Sequence, residues 1–312
     1  MTVTILVPVY GVEQYIKECA ESLMEQTYKD IEYIFCDDCT PDKSIDVLKE
    51  VVERYPERKE HVRIIRNEHN MGIGGTRAHL LSEVKSDYFC FADSDDILPE
   101  NAIESLVRRM QETDVDIVDG AYQEFGNGDM GKSIMPCHDS LVKYRRKVQV
   151  GNLVRHQVWG RLYKSEVIER VPDLFEEGID MAEDYCAMTR LIAVTTRAWT
   201  DEVVYYYRTD NVASYTKNIS HKEIISYFRA MKEVLRFYHL RGHLPLCLEI
   251  GLLNVFRECR RSGISIQETE NLLQYVPEHM TVRILKALFT WERFPILVSD
   301  YLYRLVRLLA VL

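Results

Sequence analysis

Positive charge is in short supply. Lysine and arginine number 39 against 49 aspartates and glutamates, a formal net charge of −10. Such a chain has no general basic face for a nucleic-acid backbone, and no nucleic acid is expected as a partner. The deficit leaves a small anionic substrate open, because one bound cation inverts the field around it. A basic leader is missing ahead of the short N-terminal apolar run. Thr2 to Val9 therefore reads as a first strand, and the protein as cytoplasmic. No second cysteine pair with metal spacing accompanies Cys36-x-x-Cys39. The eight cysteines (Cys19, Cys36, Cys39, Cys90, Cys137, Cys186, Cys247 and Cys259) read as free thiols, several of them buried, in a reducing compartment. A repeat period is also absent. Even the most apolar stretch, Phe294 to Leu312, carries Asp300, Arg304 and Arg307 at i, i+4 and i+7, which argues against a membrane span. Its narrow polar stripe suits a helix packed on the body of the protein. The other reading is an interfacial helix in peripheral contact with the inner face of a membrane.

What the sequence does hold is centred on Tyr88-Phe89-Cys90-Phe91-Ala92-Asp93-Ser94-Asp95-Asp96. A short apolar and aromatic run without Gly or Pro predicts a buried strand. Three carboxylates follow where it ends. They repel one another and are costly to desolvate, which points to a divalent ion with oxygen ligands. Asp93 and Asp95 share one side of an extended segment, and Asp96 offers a further ligand. The alternative is an acidic turn capping the helix that begins near Pro99.

Strands are predicted over 2–9, 31–36, 62–66 and 88–92, with helices over 13–26, 42–55, 76–84 and 100–111 between and after them. Residues 67–75 read as a Gly- and Asn-rich loop. Another strand starts at 116–118. This alternation predicts a doubly wound α/β class with a central, mostly parallel sheet. Ligands bind beyond the carboxyl ends of such strands, where Tyr10, Asp37, Asp38 and Asp93 to Asp96 all fall. From Phe125 to Gly151 the pattern weakens to a hairpin or mobile loop. The basic run 144–147 reads either as a solvated face or as a contact for a phosphate-bearing acceptor. A helix is expected over 181–194 and a strand over 202–208. Helical patterns then run through 222–240, 246–261, 266–275 and 281–289.

The ordered set Val7-Pro8-Val9-Tyr10, Asp37-Asp38-Cys39-Thr40-Pro41-Asp42, Asn70-Met71-Gly72 with Arg77, and Asp93-Ser94-Asp95-Asp96 resembles the nucleotide-sugar-binding half of family 2 glycosyltransferases. Trp159-Gly160-Arg161-Leu162-Tyr163 and Glu183-Asp184-Tyr185 are similar to the acceptor-side motifs of the bacterial members. Together they cover roughly residues 1–215 in order and spacing. Cys39 replaces a glycine of the family pattern, and Thr76-Arg77-Ala78 replaces Ala-Arg-Asn. Neither departure touches a carboxylate.

The resemblance implies a GT-A catalytic domain over 1–217, with a nucleotide-sugar half (1–98) and an acceptor half (99–217), and a C-terminal helical region over 218–312. It implies Mn2+ or Mg2+ at Asp93, Asp95 and Asp96. A UDP-sugar or similar donor would be held by Pro8, Tyr10, Asp37, Asp38, Asn70, Gly72, Arg77, Asp93 and Ser94. Within that set Asp38 accepts from base or ribose, and Arg77 pairs with a phosphate, Asp38 or Asp93. Trp159 would floor the acceptor or sugar site, and Arg208, with Ser214, would reach the diphosphate. Asp184 would be the general base, with Glu183 as helper. A single base implies inversion at the anomeric carbon. The expected activity is sugar transfer to a saccharide or lipid-linked acceptor in surface polysaccharide or lipopolysaccharide assembly. Two rivals are a nucleotidyltransferase and a silent nucleotide-binding, membrane-docking module. The first wants a Gly-rich basic loop where Tyr10-Gly11-Val12-Glu13 stands. The second leaves both acidic motifs without a purpose.

Overall fold

The computed structural model describes residues 1–151, 153–211 and 221–242, with 244, 245, 247, 248, 251, 252 and 255. Ser214 and the helices expected over 266–275, 281–289 and 294–312 lie outside the described residues, as does most of 246–261.

Strand β1 (Val3–Val9) is buried at every position. A strand apolar on both faces belongs in the interior of a sheet covered by helices on each side. Its neighbours are β2 (Ile31–Asp37), parallel with Pro8 opposite Cys36 and Val9 opposite Asp37, and β4 (Tyr88–Phe91), also parallel. Strand β3 (Val62–Arg66) extends the parallel half beyond β2. On the other side β4 pairs antiparallel with β7 (Arg161–Lys164), and β7 antiparallel with β5 (Ile117–Gly126). Strand β6 (Asp129–Ile134) forms a hairpin with β5 through Asn127 and Gly128, both at positive φ. Two such residues between antiparallel strands suit the right-handed strand twist. Strand β8 (Arg197–Arg208) runs parallel to β5. The order is β3-β2-β1-β4-β7-β5-β6, with β8 paired to β5. The expected mostly parallel α/β sheet is therefore present.

Helices α1 (Ile16–Met24), α2 (Ser44–Val52) and α5 (Ala102–Thr113) pack apolar stripes onto the sheet. Ile16, Cys19, Leu23, Leu48, Val51, Ile103, Leu106 and Met110 join one core with β1 and β2. Single turns α3 (Pro56–Lys59) and α7 (Val167–Arg170) fill connections. Helix α4 (Gly72–Ser82) begins four residues before the predicted 76–84, inside the stretch read as loop. Its glycines are there for close approach: a Cβ on Gly75 would lie 2.7 Å from the Met71 Cβ and 3.3 Å from the Glu177 Cβ.

The chain divides into two compact units. The first, Met1–His138, Gln157–Gly178 and Val194–Lys217, holds the whole sheet. The second, Asp139–His156, Ile179–Ala193 and Asn218–Leu312, contains α6 (Leu141–Val150), most of α8 (Glu183–Val194) and α9 (His221–His239). Buried polar bonds tie these helices: Tyr185 Oη donates to the Gln149 carbonyl at 3.0 Å and Tyr238 Oη to that of Thr189 at 3.1 Å. The basic run lies on α6, where Tyr144 is buried, Arg145 Nε donates to the Ile192 carbonyl and Lys147 pairs with Asp139. Among the described residues no helix is long and apolar enough to cross a membrane.

Candidate active site

Because β2 and β3 lie on one side of β1 and β4 on the other, the chain changes direction between β1 and β4. A crevice opens beyond the carboxyl ends of the strands at such a point. The turns after β1, β2 and β4 all reach that edge.

The turn after β1 starts at Tyr10, and Pro8, expected at the donor, is buried within the strand. Tyr10 is 51% exposed, so its ring is available to a ligand. Gly11, at φ +68, turns the chain, and its N–H donates to Thr40 Oγ1 at 2.8 Å. Asp42 accepts from Glu13 N–H and from Ser44, joining the turns after β1 and β2.

Asp37 and Asp38 are both buried. Asp37 Oδ1 accepts from Thr40 N–H at 2.8 Å, and Arg66 lies 3.4 Å from its other oxygen. Asp38 Oδ1 accepts twice, from Met71 N–H at 2.7 Å and from Asn67 Nδ2 at 2.8 Å. Asn67 Nδ2 also donates to Thr76 Oγ1, while its Oδ1 faces His79 Nδ1 at 2.6 Å, which puts a proton on that nitrogen. Neither Asn67 nor His79 was picked out by sequence motif. The available signal was position, since Asn67 directly follows β3 at the same sheet edge. Cys39 takes φ +56, a value that glycine adopts without strain, and donates Sγ–H to the Asn67 carbonyl. Asn70, itself exposed, accepts from Gly72 N–H at the start of α4.

Arg77 is only 2% exposed and donates to Asp93 Oδ1 at 2.9 Å. Of its three expected partners, the structure gives it Asp93. Its guanidinium lies 5.8 Å from the ring centres of both Phe91 and Phe175. The start of α4 thus meets Asp38 through the Met71 N–H, and Arg77 further along meets Asp93.

Asp93 to Asp96 form a tight turn closed by Asp96 N–H to the Asp93 carbonyl at 3.1 Å. Ser94 is buried inside it. Asp95 Oδ2 accepts from Asn211 at 2.8 Å. Burial, then the neighbouring Asp93 charge, push the Asp95 carboxyl above its ordinary pKa. Asp96 is 1% exposed, and its pKa is pushed well up by burial first and then by Asp95 and Asp93. Both Asp96 oxygens are engaged: Oδ2 accepts from Tyr205 Oη at 2.8 Å and Oδ1 from Arg208 N–H at 2.7 Å. Arg208 is itself enclosed. It donates to the Asp95 carbonyl at 2.7 Å and to Glu18 at 2.5 Å, and its guanidinium lies 4.9 Å and 4.5 Å from the ring centres of Tyr15 and Phe125. Trp159 is 3% exposed and stacks on Tyr205 at 4.3 Å, with Tyr122 edge-on at 5.0 Å.

Asp93 and Asp95 suit a hard divalent cation. They supply oxygen donors, they crowd like charge that a cation relieves, and Asp93 is 26% exposed at the rim. Among the described residues no three His, Cys, Asp or Glu side chains form a complete cage. One or two carboxylates completed by substrate phosphates is the usual arrangement for Mg2+.

Glu183 and Asp184 belong to the second unit, half-buried in the first turn of α8. The approach to them is fixed: Asp180 and Met181 donate N–H to Ser226 Oγ at 2.8 Å each, and Ala182 takes φ +65.

Known proteins share this architecture and sequence. S. aureus TarS 1-349 in complex with UDP-GlcNAc superposes with a TM-score of 0.69 at 19% identity, over 98% of this chain and 90% of that one. The mannosyltransferase PcManGT from Pyrobaculum calidifontis, in complex with GDP-Man and Mn2+, gives 0.51 at 14% identity, over 97% and 86%. These likenesses establish the GT-A fold. An uncharacterized glycosyltransferase of Bacillus subtilis, EpsJ, is 30% identical over 272 residues, spanning 81% of this chain and 74% of its own. Residues 4–168 match the family model described as glycosyl transferase family 2. With over half its length matched in this way, the chain belongs to glycosyl transferase family 2.

Proposed function

We propose that this glycosyltransferase is inverting and metal-dependent, moving a sugar from a nucleoside-diphosphate sugar, UDP-linked in the first place, to a hydroxyl of a saccharide or lipid-linked acceptor in surface polysaccharide or lipopolysaccharide assembly. The observation that carries the reading is the placement of Asp38 after β2 and of Asp93 and Asp95 after β4, the two strands that flank β1, with Arg77 of α4 bonded to Asp93. The UDP-GlcNAc held by TarS and the Mn2+ held with GDP-Man by PcManGT support the donor class and the cation.

In this reading Tyr10 offers its ring to the base. Asp38, with Oδ1 engaged by Asn67 and Met71, turns Oδ2 to a donor on base or ribose. Asn70 and Gly72 shape the start of α4 beside it. Asp93 and Asp95 hold Mn2+ or Mg2+. When bound, that ion neutralises charge on the departing diphosphate. Asp184 removes the acceptor hydroxyl proton during attack, and Glu183 supports it. The acceptor oxygen bonds to the anomeric carbon as the bond to the diphosphate oxygen breaks. One displacement inverts the centre.

Slow hydrolysis of sugar nucleotides with Mn2+ tests the reading across a panel of donors. Asp184→Asn is expected to abolish turnover while calorimetry shows nucleotide binding intact. Unchanged turnover in that variant removes Asp184 from its role.

A further inference from the structure

Asp96, expected as a metal ligand, and Trp159, expected at the acceptor or sugar, are almost fully buried, and both touch Tyr205. Tyr205 is itself 1% exposed. Its hydroxyl accepts the N–H of Asp93 at 3.0 Å and donates to Asp96 Oδ2 at 2.8 Å. One phenol therefore grips the first and last residues of the acidic turn. Its ring is fixed in turn. Trp159 stacks on it at 4.3 Å and 11°, and Trp159 also stacks on Tyr207 at 5.4 Å and 12°. Tyr205 and Tyr207 share one side of β8, since alternate residues of a strand point the same way. The backbone of the turn joins the same strand: Arg208 N–H reaches Asp96 Oδ1, Ile97 N–H donates to the Tyr206 carbonyl at 3.2 Å, and Tyr206 N–H returns to Ile97 at 2.8 Å.

We infer that Tyr205 is a positioning residue: its hydroxyl, braced by Trp159, sets the backbone of the turn so that Asp93 and Asp95 present their carboxylates together, with Asp96 acting as an internal anchor. The inference rests on the reading that Asp93 and Asp95 serve the cation and the diphosphate. A buried tyrosine hydroxyl needs partners, and here both lie in the acidic turn. Asp96 is 1% exposed, and each of its oxygens accepts a bond from β8, so its carboxylate faces the strand inside the protein rather than the rim where Asp93 lies. This separates Asp96 from the other two acids although the sequence places all three side by side.

The test is Tyr205→Phe, which keeps the ring on Trp159 and removes the hydroxyl. Tyr206→Phe, on the opposite side of the strand, is the matched control. Hydrogen exchange of peptides covering 91–98 is measured first, on the full chain without ligands. Affinity for UDP, with and without Mn2+, is measured by calorimetry, and Mn2+ itself by electron paramagnetic resonance. The expected result is exchange at 91–98 accelerated about tenfold in Tyr205→Phe, as for loss of one buried hydrogen bond. Peptides from β1 and β2 stay at wild-type rates, the control is unchanged, and Mn2+–UDP affinity falls by about tenfold. Exchange at the wild-type rate overturns the inference. So does a loosened turn with undiminished affinity for UDP in both conditions. If the wild type retains no Mn2+ in the presence of UDP, the metal reading falls by itself, and exchange together with metal-free UDP affinity decides the role of Tyr205.

Discussion

Arg77 reaches Asp93 across 2.9 Å from a side chain that is 2% exposed, while Asp93 is 26% exposed. The cation is inside and the acid leans outward from it. Two phenylalanine rings flank the guanidinium, a setting that a lysine ammonium on its thin stem does not fill. Arg77→Ala is expected to cost about 2–3 kcal/mol in urea unfolding, less than the roughly 3–5 kcal/mol of a fully buried broken pair because Asp93 keeps some solvent. Arg77→Lys should recover less than half of that loss.

Asn67 has the same relation to Asp38 that Arg77 has to Asp93. Its amide group fixes one carboxylate oxygen, and His79 fixes Asn67. Asn67→Ala should raise the KM for the nucleotide sugar by about tenfold with a smaller change in kcat, since the loss is in ground-state binding. Asn67→Asp should be worse, placing a second charge against Asp38 in a buried site. A kcat loss exceeding the KM change would reject this assignment.

Asp95 is expected to trade stability for binding. Its carboxylate is half-buried beside two others, so the ligand-free fold bears their repulsion. Asp95→Asn should raise the melting temperature of the metal-free protein while weakening Mn2+ binding by about tenfold or more. Calorimetry in chelator and Mn2+ titration check the two halves separately. A variant with lowered melting temperature and unchanged Mn2+ affinity would contradict both.

The parallel half of the sheet is legible because its strands are short and apolar, and because acids stand at the ends of two of them, Ile31–Asp37 and Tyr88–Phe91. The start of α4 is not. Its glycines read as a loop, and what permits a helix there is Asp38, distant in sequence, accepting from Met71 N–H. Asp93, Asp95 and Asp96 were found together, but their division of labour was hidden. Nothing in Asp93-Ser94-Asp95-Asp96 shows that Tyr205 will occupy one of them. The motif around Trp159 and the place of Arg208 after the tyrosine strand point to ligands, and neither signals the aromatic rings of β5, β8 and Tyr15 that pack on these two side chains.

Acid stability should trace in part to Asp116. Burial raises its carboxyl pKa, but bonds from the Thr196 N–H (2.7 Å), the Thr196 hydroxyl (2.8 Å) and Arg170 (2.8 Å) outweigh that and hold it below its ordinary value. A carboxyl lowered in the folded state contributes stability above its unfolded pKa of about 3.9, and the contribution vanishes as pH falls through the folded value. Asp116→Asn should therefore cost about 1–2 kcal/mol at pH 7 and flatten the stability profile below about pH 4. Denaturant melts across that range would show it, and parallel profiles would refute it.

Helix α4 works as a ruler. Asp38 grips its cap residue, Met71, and Arg77, six positions further on, grips Asp93. The spacing between the two acids is thereby set by the rise of a hydrogen-bonded helix, about 1.5 Å per residue, before any ligand arrives. One residue inserted between Gly72 and Arg77 would swing the guanidinium about 100° around the axis and part it from Asp93. Length variation in this family member should therefore be tolerated in the β5–β6 hairpin and rejected in this one short segment.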